Sequence, residues 1–319
     1  MSRDRRPRLG PDPALGLTDA EFAAMAQRIH RETGIVIGTA KRNMLIARLA
    51  HRLRDLALPD FAAYMRLLDS PGGEAERRAL VSAITTNVTR FYREPHHFAA
   101  LAKLAPGLSA RARSGARIRL WSAGCSTGQE AYSIAATLLD HDPTLDSRDL
   151  RILATDIDAE VIETARRGVY DRRSIGPETP PALHRFLRDG PQDHQVITAP
   201  KLRALIRFET LNLLDAWPFH GQFDIIFCRN VVIYFDPETR HALWRRIAGR
   251  LVEEGRLFLG HSERMDSRLD PLFAPCGVTQ YRRTGIAAPP DPGQILPGNL
   301  AVAAPLSATR TMPCPFAIP

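Results

Sequence analysis

The clearest chemical signal in this chain is a run of small residues between a predicted strand and a predicted helix. Residues 117–139, RIRLWSAGCSTGQEAYSIAATLL, contain a turn of Ser, Ala, Gly and Thr in which Gly124 and Gly128 are four residues apart. Such a turn lets a ligand press against backbone at the carboxyl edge of a parallel sheet. A dinucleotide site needs the spacing G-x-G-x-x-G, which seats a pyrophosphate on the helix N-terminus. The turn therefore favours a ligand without a pyrophosphate.

An acidic residue ends the second predicted strand, RILATDID. This residue, Asp156, lies at the end of the second strand, where nucleoside-binding sheets bind ribose. A carboxylate suits this role because it accepts two hydrogen bonds from a vicinal diol. Asp158 is interpreted as the N-cap of the following helix. Together with the open turn, Asp156 predicts a nucleoside ligand, and S-adenosylmethionine fits because it is a ribonucleoside with a sulfonium and an amino-acid tail.

Other reactive residue types have ordinary structural interpretations. His96 and His97 project apart on a helix with no third ligand near, so we expect packing or surface roles and no metal site. Cys125 lacks a paired histidine that would make it a nucleophile, and we interpret it as a small space-filling residue. His261, after the fifth predicted strand, is interpreted as structural.

The elements that must position these residues change character along the chain. Thr18 and Glu21 form a capping box that begins a helix running to residue 33. Three further helices are predicted, over 39–56, from Pro59 and Asp60 onward, and over 74–86. From about residue 117 short apolar runs (IRLW, RILAT, LIRFE, FDIIFC and RLFLG) alternate with helical stretches, which is typical of βαβ units in a mostly parallel sheet.

Length and composition allow two domains and exclude wholesale disorder. The chain has 319 residues, 44% hydrophobic and 24% charged. We predict a disordered basic N-terminus over 1–16, a helical domain over 17–98, an α/β domain over 99–285 and a disordered proline-rich tail over 286–319. No stretch approaches the ~18 apolar residues of a membrane span.

The charge and cysteine content indicate the cell compartment and the kind of partner. The net charge is +8, which favours an acidic partner. Four cysteines without C-x-x-C or zinc spacing fit a protein with reduced thiols. No apolar segment follows the basic N-terminus, so we expect no secretory signal and a cytoplasmic location.

Six sequence blocks resemble, in order, the successive motifs of the CheR-type chemotaxis receptor methyltransferases. The blocks span about residues 80–285 and read SAITTNVTRFYREPHHF, WSAGCSTGQEAYSIA, LATDID, LNLLD, FDIIFCRNVVIYFD and LFLGHSE. The resemblance implies an α/β class I S-adenosylmethionine-dependent methyltransferase domain with a mostly parallel sheet. It also implies a small all-helical N-terminal domain and a small β-subdomain inserted over 166–205. The implied reaction transfers a methyl group to glutamate side chains on the cytoplasmic helices of chemoreceptors.

The resemblance also assigns roles residue by residue. The implied cofactor-binding residues are Asn87, Thr89, Arg93, Glu130, Asp156, Asn212, Leu213, Arg229 and Asn230. The implied catalytic residues are Arg93 and Tyr234, with Tyr234 near the transferred methyl. Gln129 replaces the first of two acids in the family's S-T-G-E-E-x-Y motif, which removes the charge at that position.

A carboxylate acceptor suits this set of residues. Methyl transfer from a sulfonium is an in-line displacement, and a glutamate with a pKa near ~4.3 is already ionised at pH 7, so no general base is required. The site must align the nucleophile with the methyl carbon. Arg93 can hold the carboxylate through a bidentate fork. Taken alone, however, Arg93 could pair with Glu94, Asp156 could be a helix-start acid and Tyr234 could be a core residue.

A basic stripe on the second predicted helix suggests how an acidic substrate would dock. Lys41, Arg48 and Arg52 fall within about 40° of one another on a helical projection, beside an apolar arc of leucines. The ordinary interpretation is a solvated charged face. We favour docking of the acidic methylation helices of a receptor, because opposite charges steer association.

Two other functions compete with this interpretation. A nucleic-acid methyltransferase would suit the basic charge, but amino-directed members usually carry an Asn/Asp-Pro-Pro-aromatic tetrapeptide after the fourth strand. Residues 229–232 read Arg-Asn-Val-Val, and no aromatic stacking platform is visible. A non-catalytic module on the same fold would have lost cofactor residues, which are present here. We expect no nucleic-acid partner, no membrane insertion and a monomer.

The loop within the predicted β-subdomain bears on receptor recognition. In some relatives this subdomain adds the receptor's C-terminal pentapeptide as an extra strand, through a loop with a Gly-x-Gly signature. Residues 188–193 read Arg-Asp-Gly-Pro-Gln-Asp here, with a single glycine, Gly190. Pro191 also removes a backbone donor where strand addition would use one. We therefore predict an enzyme that does not depend on the pentapeptide.

Overall fold

The chain folds into two compact units that divide between Thr85 and Thr86. The computed structural model describes residues 16–176, 179–288 and 293–295. The predicted disordered N-terminus over 1–16 lies outside these residues except for Gly16. The predicted boundary at residue 98 is wrong, because Phe91, Tyr92 and Phe98 are buried in the core of the α/β unit.

The first unit is all-helical, as predicted. Its helices are α1 (Asp19–Thr33), α2 (Arg42–Asp55), α3 (Phe61–Asp69) and α4 (Glu74–Ile84), and a short 3-10 helix, Thr39–Lys41, precedes α2. The predicted capping box begins α1: the Glu21 N–H donates to Thr18 Oγ1 over 3.2 Å, and the Thr18 N–H donates to Glu21 Oε2 over 2.8 Å. Leu45, Leu49 and Leu53 of the predicted apolar arc are fully buried.

The second unit alternates helices and strands. Its helices are α5 (Pro95–Arg113), α6 (Gln129–His141), α7 (Ala159–Arg167), α8 (Pro181–His184), α9 (Pro200–Leu205) and α10 (Pro237–Arg250). Its strands are β1 (Ile118–Ala123), β2 (Leu150–Asp156), β3 (Val169–Asp171), β4 (Leu187–Asp189), β5 (Gln195–Thr198), β6 (Ile206–Thr210), β7 (Phe223–Cys228), β8 (Leu251–Leu259), β9 (Phe273–Gly277) and β10 (Gln280–Arg283).

Seven of these strands form one sheet in the order β6-β2-β1-β7-β8-β10-β9. The first five in this order run parallel, and β10 is antiparallel to both of its neighbours. The mostly parallel sheet predicted from the alternating pattern is therefore confirmed. Because β1 lies between β2 and β7, the loops that follow these three strands meet at the same carboxyl edge.

The predicted β-subdomain is also present. Strands β3, β5 and β4 form a separate antiparallel sheet in that order, and α8 lies between β3 and β4 in the chain. The residues that join β4 to β5 make a tight hairpin in which the Gly190 N–H donates to the Gln195 carbonyl over 3.1 Å. A Cβ atom on Gly190 would lie 2.7 Å from Cβ of Gln195, so the hairpin requires glycine there.

The predicted disordered tail is corrected at one described residue. Ile295 is buried in the core of the second unit, and its N–H donates to the Leu214 carbonyl over 2.7 Å. Most of the rest of 286–319 lies outside the described residues. In the part of the chain that the structure describes, no helix is both long and apolar enough to cross a membrane.

Candidate functional site

The turn after β1 has a backbone that favours small residues. Gly124, Ser126 and Gly128 have positive φ angles of 80°, 50° and 94°. A Cβ atom on Gly124 would lie only 2.2 Å from Cγ2 of Val231. Since Val231 belongs to the loop after β7, the two loops that end neighbouring parallel strands are in direct contact. The small-residue turn therefore packs against the loop after β7 at the carboxyl edge of the sheet, where the sequence predicts a ligand.

Asp156 lies at the end of β2 beside this turn and is only 9% exposed. Its carboxylate accepts hydrogen bonds from the N–H groups of Ser126, over 2.8 Å, and Asp158, over 3.1 Å. Burial raises the pKa of Asp156, although both backbone donors act to lower it. A carboxylate offers about four lone-pair positions, so two donors leave capacity for the hydroxyl groups of a ribose.

Asn87 holds an irregular segment against the same edge of the sheet. Its Nδ2 donates to Oδ2 of Asp158 over 2.7 Å, and its carbonyl accepts from Ser126 Oγ over 2.8 Å. Asp158 also accepts from the Glu160 N–H over 2.9 Å, which confirms its predicted role as the N-cap of α7. Thr89, two residues after Asn87, is half-buried in this segment.

The two predicted catalytic residues are both half-buried. Nη1 of Arg93 donates to the Val88 carbonyl over 3.0 Å. Among the described residues no carboxylate forms an ion pair with Arg93, so the alternative pairing with Glu94 is wrong. Tyr234 ends the 3-10 helix Val232–Tyr234, which begins four residues after β7.

The buried side chain of Arg229 connects these segments and does not line an open surface. Its side chain is 2% exposed, and Nε lies 3.1 Å from Oε2 of Glu130. Nη2 donates to the Arg93 carbonyl over 2.5 Å, and Nη1 lies 3.2 Å from Nδ1 of His97. Both terminal nitrogens therefore lie within hydrogen-bond distance of protein atoms, and Nε faces the Glu130 carboxylate in an ion pair without a hydrogen bond. The cofactor role of Arg229 stays a prediction, and in this structure its buried guanidinium contacts Glu130, His97 and the Arg93 backbone.

Glu130 is the buried acidic partner of Arg229. One oxygen accepts from Ser122 Oγ of β1 over 2.6 Å. Burial raises the pKa of Glu130, whereas the charge of Arg229 lowers it. Burial likewise raises the pKa of the Cys125 thiol well above its ordinary value, which supports the interpretation of Cys125 as a space-filling residue.

Asn212 and Leu213 follow β6 at the same edge. Oδ1 of Asn212 accepts from the Leu214 N–H over 3.1 Å, and the Leu211 N–H donates to the Asp156 carbonyl over 2.8 Å. The Leu213 side chain packs among buried aromatic residues, and its carbonyl accepts from Trp217 Nε1 over 3.2 Å. These bonds fix the backbone of the segment next to Asp156.

The paired histidines differ from the sequence interpretation in one respect. The rings of His96 and His97 are 4.1 Å apart, and the carboxylate of Glu94 lies close enough to form a three-residue cluster. The expectation that no third ligand is near is therefore wrong. His97 is fully buried, and Nε2 lies 2.9 Å from Oγ1 of Thr279. Because its other nitrogen faces the Arg229 cation, we assign His97 to packing and not to a metal.

The basic stripe of α2 is used largely inside the helical unit. Arg48 Nη1 donates to the carbonyls of Ile84, over 2.6 Å, and Thr85, over 3.1 Å, at the end of α4. Arg52 forms two hydrogen bonds with the buried carboxylate of Glu76. Docking by these two arginines stays a prediction, and both also have a structural role, because long basic side chains cap helix ends and neutralise buried acids. Lys41 is exposed.

Comparison with known proteins decides the family. The family model described as CheR methyltransferase, SAM binding domain, matches residues 87–282. The model described as CheR methyltransferase, all-alpha domain, matches residues 20–85. The chain belongs to the CheR methyltransferase family. Its cofactor is S-adenosylmethionine, and every predicted cofactor-binding residue lies within the matched SAM binding domain.

Curated relatives of this CheR family protein cover most of the chain. It is 43% identical over 261 residues to the probable chemotaxis protein methyltransferase of Rhizobium etli, covering 80% of this chain and 97% of the relative. It is 43% identical over 270 residues to the chemotaxis protein methyltransferase of Escherichia coli, covering 84% of this chain and 92% of the relative.

The sequence interpretation missed one residue at this CheR methyltransferase site. Glu263 is 2% exposed, and its carboxylate accepts hydrogen bonds from four backbone N–H groups, three of them in the loop after β7. The signal in the sequence was an acidic residue close after a strongly apolar run, in the block LFLGHSE. His261 of the same block donates its N–H to Glu94 Oε1 over 3.2 Å.

Proposed function

We propose that this protein methylates glutamate side chains on the cytoplasmic helices of chemoreceptors, giving glutamate methyl esters and S-adenosylhomocysteine. Membership of the CheR family and the names of its relatives support this function. The structural observation that carries the proposal is the half-buried Arg93 guanidinium, which forms no ion pair with a protein carboxylate among the described residues. Such a cation can hold the carboxylate of a substrate. The expected site of action is the cytoplasm, in chemotaxis adaptation or a related signalling pathway.

The described residues fit the cofactor. The turn over residues 124–128 packs so closely against the loop after β7 that Gly124 has no room for a Cβ atom. Asp156 would hold the ribose hydroxyls. Asn87, Thr89, Asn212, Leu213, Asn230 and the Glu130–Arg229 pair would complete the binding surface, either directly or by fixing its backbone. When bound, S-adenosylmethionine supplies a methyl group attached to a positively charged sulfur.

The acceptor side of the reaction needs alignment and no proton transfer. An ionised glutamate oxygen forms a bond to the methyl carbon while the carbon–sulfur bond breaks, and the electron pair goes to sulfur. Arg93 would hold the carboxylate so that one oxygen faces the methyl. The Tyr234 hydroxyl would donate to the acceptor and fix its orientation. No general base is needed, because a glutamate is ionised at neutral pH.

Receptor recognition is proposed not to depend on a C-terminal pentapeptide. In the β4–β5 hairpin, the Gly190 N–H is already used by the Gln195 carbonyl. Pro191 has no N–H to offer, so this end of the edge strand β4 has few backbone donors for an added strand. Lys41, which is exposed, would contribute to docking of an acidic helix. Arg48 and Arg52 also have partners inside their own unit.

A nucleic-acid methyltransferase is the alternative to be tested. Residues 229–232 contain no proline, and Arg229 is buried on protein partners, so the loop after β7 does not present an amine-binding tetrapeptide. The decisive experiment supplies labelled S-adenosylmethionine with a chemoreceptor signalling domain or with DNA. Incorporation into the receptor that is released by mild alkali supports the proposal, because esters hydrolyse there. Alkali-stable incorporation into DNA would support the alternative.

A further inference from the structure

A single buried carboxylate organises the loop that follows β7. Oε1 of Glu263 accepts from the N–H groups of Val231 and Val232, each over 2.9 Å. Oε2 accepts from the N–H of Asn230, over 2.9 Å, and from the N–H of Gly260, over 2.6 Å. Three successive backbone donors that converge on one anion form a nest, which is normally a binding site for a negatively charged group.

The backbone held in this way has an uncommon conformation. Asn230 has a φ of 60°, in the left-handed region that side chains other than glycine seldom adopt. Val232 begins the 3-10 helix that ends at Tyr234. Without an acceptor, these N–H groups would be buried donors without partners, and the left-handed turn would lose its main support.

The residue that follows β8, Gly260, also lies close to the loop after β7. A Cβ atom on Gly260 would lie 2.5 Å from Nδ2 of Asn230 and 2.8 Å from Oε2 of Glu263. Glycine at 260 therefore allows the Glu263 carboxylate to reach the loop. In the described part of the chain, Glu263 forms no ion pair, and its four hydrogen bonds all come from backbone.

We infer that Glu263 is a positioning residue for methyl transfer: its carboxylate fixes residues 230–232 and thereby places Asn230 and Tyr234. This inference rests on the proposed function, because it assigns Tyr234 to the acceptor. Glu263 is buried and its carboxylate is bonded to backbone N–H groups, so we expect it to act through the loop. Its removal should therefore act through the conformation of the loop, with the rest of the sheet intact.

The test compares Glu263→Gln with Asp224→Asn. Glutamine keeps the shape of the side chain, but its amide nitrogen replaces one of the two accepting oxygens. The two N–H donors of this amide would then face backbone N–H groups of the protein. Asp224 is a matched control, because it is a buried carboxylate at the start of β7 that accepts from the Arg119 N–H over 2.8 Å and pairs with Arg111. It lies at the opposite end of the same strand from the loop.

Two readouts distinguish positioning from a general loss of structure. In Glu263→Gln, hydrogen exchange of peptides covering 230–234 should be about tenfold faster, with peptides from β1 and β2 unchanged. Its kcat should fall at least about tenfold while S-adenosylhomocysteine affinity changes less than about threefold. In Asp224→Asn, the thermal midpoint should fall while loop exchange and the kcat of the folded protein stay at wild-type values.

Each remaining outcome decides the inference. Unchanged exchange over 230–234 in Glu263→Gln would overturn it, whatever the activity. Faster exchange with wild-type kcat would also overturn it, because the loop would then not matter for transfer. If the glutamine variant does not fold, Glu263→Asp, which keeps the charge on a shorter side chain, is measured by the same two readouts with the same criteria.

Failure of this inference can be distinguished from failure of the proposed function. A wild-type protein that methylates no receptor refutes the proposed function, whereas the exchange measurement still reports whether Glu263 holds the loop.

Discussion

Nη2 of Arg229 donates a 2.5 Å hydrogen bond to the carbonyl oxygen of Arg93. This bond joins the end of a central strand to the residue that we expect to hold the substrate carboxylate. The same guanidinium lies 3.1 Å from Glu130, at the start of α6. Arg229 therefore connects the segment that carries Arg93 to the end of β7 and to α6, the helix that follows the small-residue turn.

Replacing Asp156 tests the cofactor site. Asp156→Ala should weaken S-adenosylhomocysteine binding by about 1.5–3 kcal/mol, because charge-assisted hydrogen bonds to the ribose are lost. Isothermal titration calorimetry measures this change. Asp146→Asn, at an exposed position, is the control and should bind like the wild type. Wild-type affinity in Asp156→Ala would mean that Asp156 only organises the turn through Ser126.

Tyr234 should affect turnover and not cofactor binding. Tyr234→Phe keeps the ring and removes the hydroxyl, so kcat should fall while affinity for S-adenosylhomocysteine stays the same. Arg93→Ala, in contrast, should impair both binding and turnover, since Arg93 is expected to contact both cofactor and acceptor. Equal kcat values for wild type and Tyr234→Phe would show that the phenol is only a packing group.

The helical unit provides a stability prediction. Arg52→Met removes the cation that pairs with Glu76, which is 6% exposed and also accepts from the Tyr64 hydroxyl over 2.8 Å. Leaving this carboxylate without its cation should cost about 1–3 kcal/mol in the free energy of unfolding, as measured by denaturant titration. Arg54→Met, at an exposed position two residues later, should change stability little. Comparable midpoints for the two variants would contradict the assignment.

Docking is tested at Lys41, the exposed basic residue that ends the 3-10 helix before α2. Lys41→Glu should raise the apparent KM for receptor, and the wild-type rate should fall as salt screens the attraction. The double reversal of Arg48 and Arg52 is not a clean test, because it would break contacts that hold α4 and Glu76. A rate that is insensitive to salt, together with a wild-type KM in Lys41→Glu, would contradict docking and support the interpretation of this helix as a solvated charged face.

A receptor-tail pentapeptide should not bind. Titration of such a peptide against the purified protein should give no saturable signal at micromolar concentrations, because the β4–β5 hairpin uses the Gly190 N–H internally and Pro191 has none. Pro191→Gly would restore one donor and serves as the paired variant. Micromolar binding by the wild type would show that strand addition tolerates this loop.

Folding stability should depend on pH through His97. Burial, aided by the nearby Arg229 charge, lowers the pKa of His97 to about 3, whereas Glu94 acts in the opposite direction. The unfolded chain, with an ordinary histidine pKa near ~6.5, binds more protons between these values, so stability falls as pH decreases from about 6.5 towards 3. Between pH 6 and 5 the wild type should lose about 1 kcal/mol more than His97→Gln. Parallel stability curves for the two proteins would contradict a neutral buried imidazole.

The sequence predicted the elements better than their contacts. The capping box, the leucine arc of α2 and the five apolar runs are local patterns, and each became the expected helix or strand. The domain boundary failed because Phe91 precedes α5 and Phe98 lies within it, while both side chains fill the core of the sheet unit. The roles of Arg229, Arg52 and Glu263 could not be predicted from local sequence, since each has a partner that lies between 24 and 136 residues away in the chain. A residue type and its neighbours indicate that a charge is present but not which buried group it neutralises.

The central claim is that the product is a glutamate methyl ester on a chemoreceptor helix. The most direct measurement is mass spectrometry of a receptor signalling domain after incubation with this protein and S-adenosylmethionine. The account predicts a gain of one methylene mass, about 14 Da, on glutamate residues of the methylation helices. This gain should disappear after mild alkali and be absent with Arg93→Ala. Methylation at lysine or at the protein termini, or a receptor left unmodified while another substrate is methylated, would contradict it.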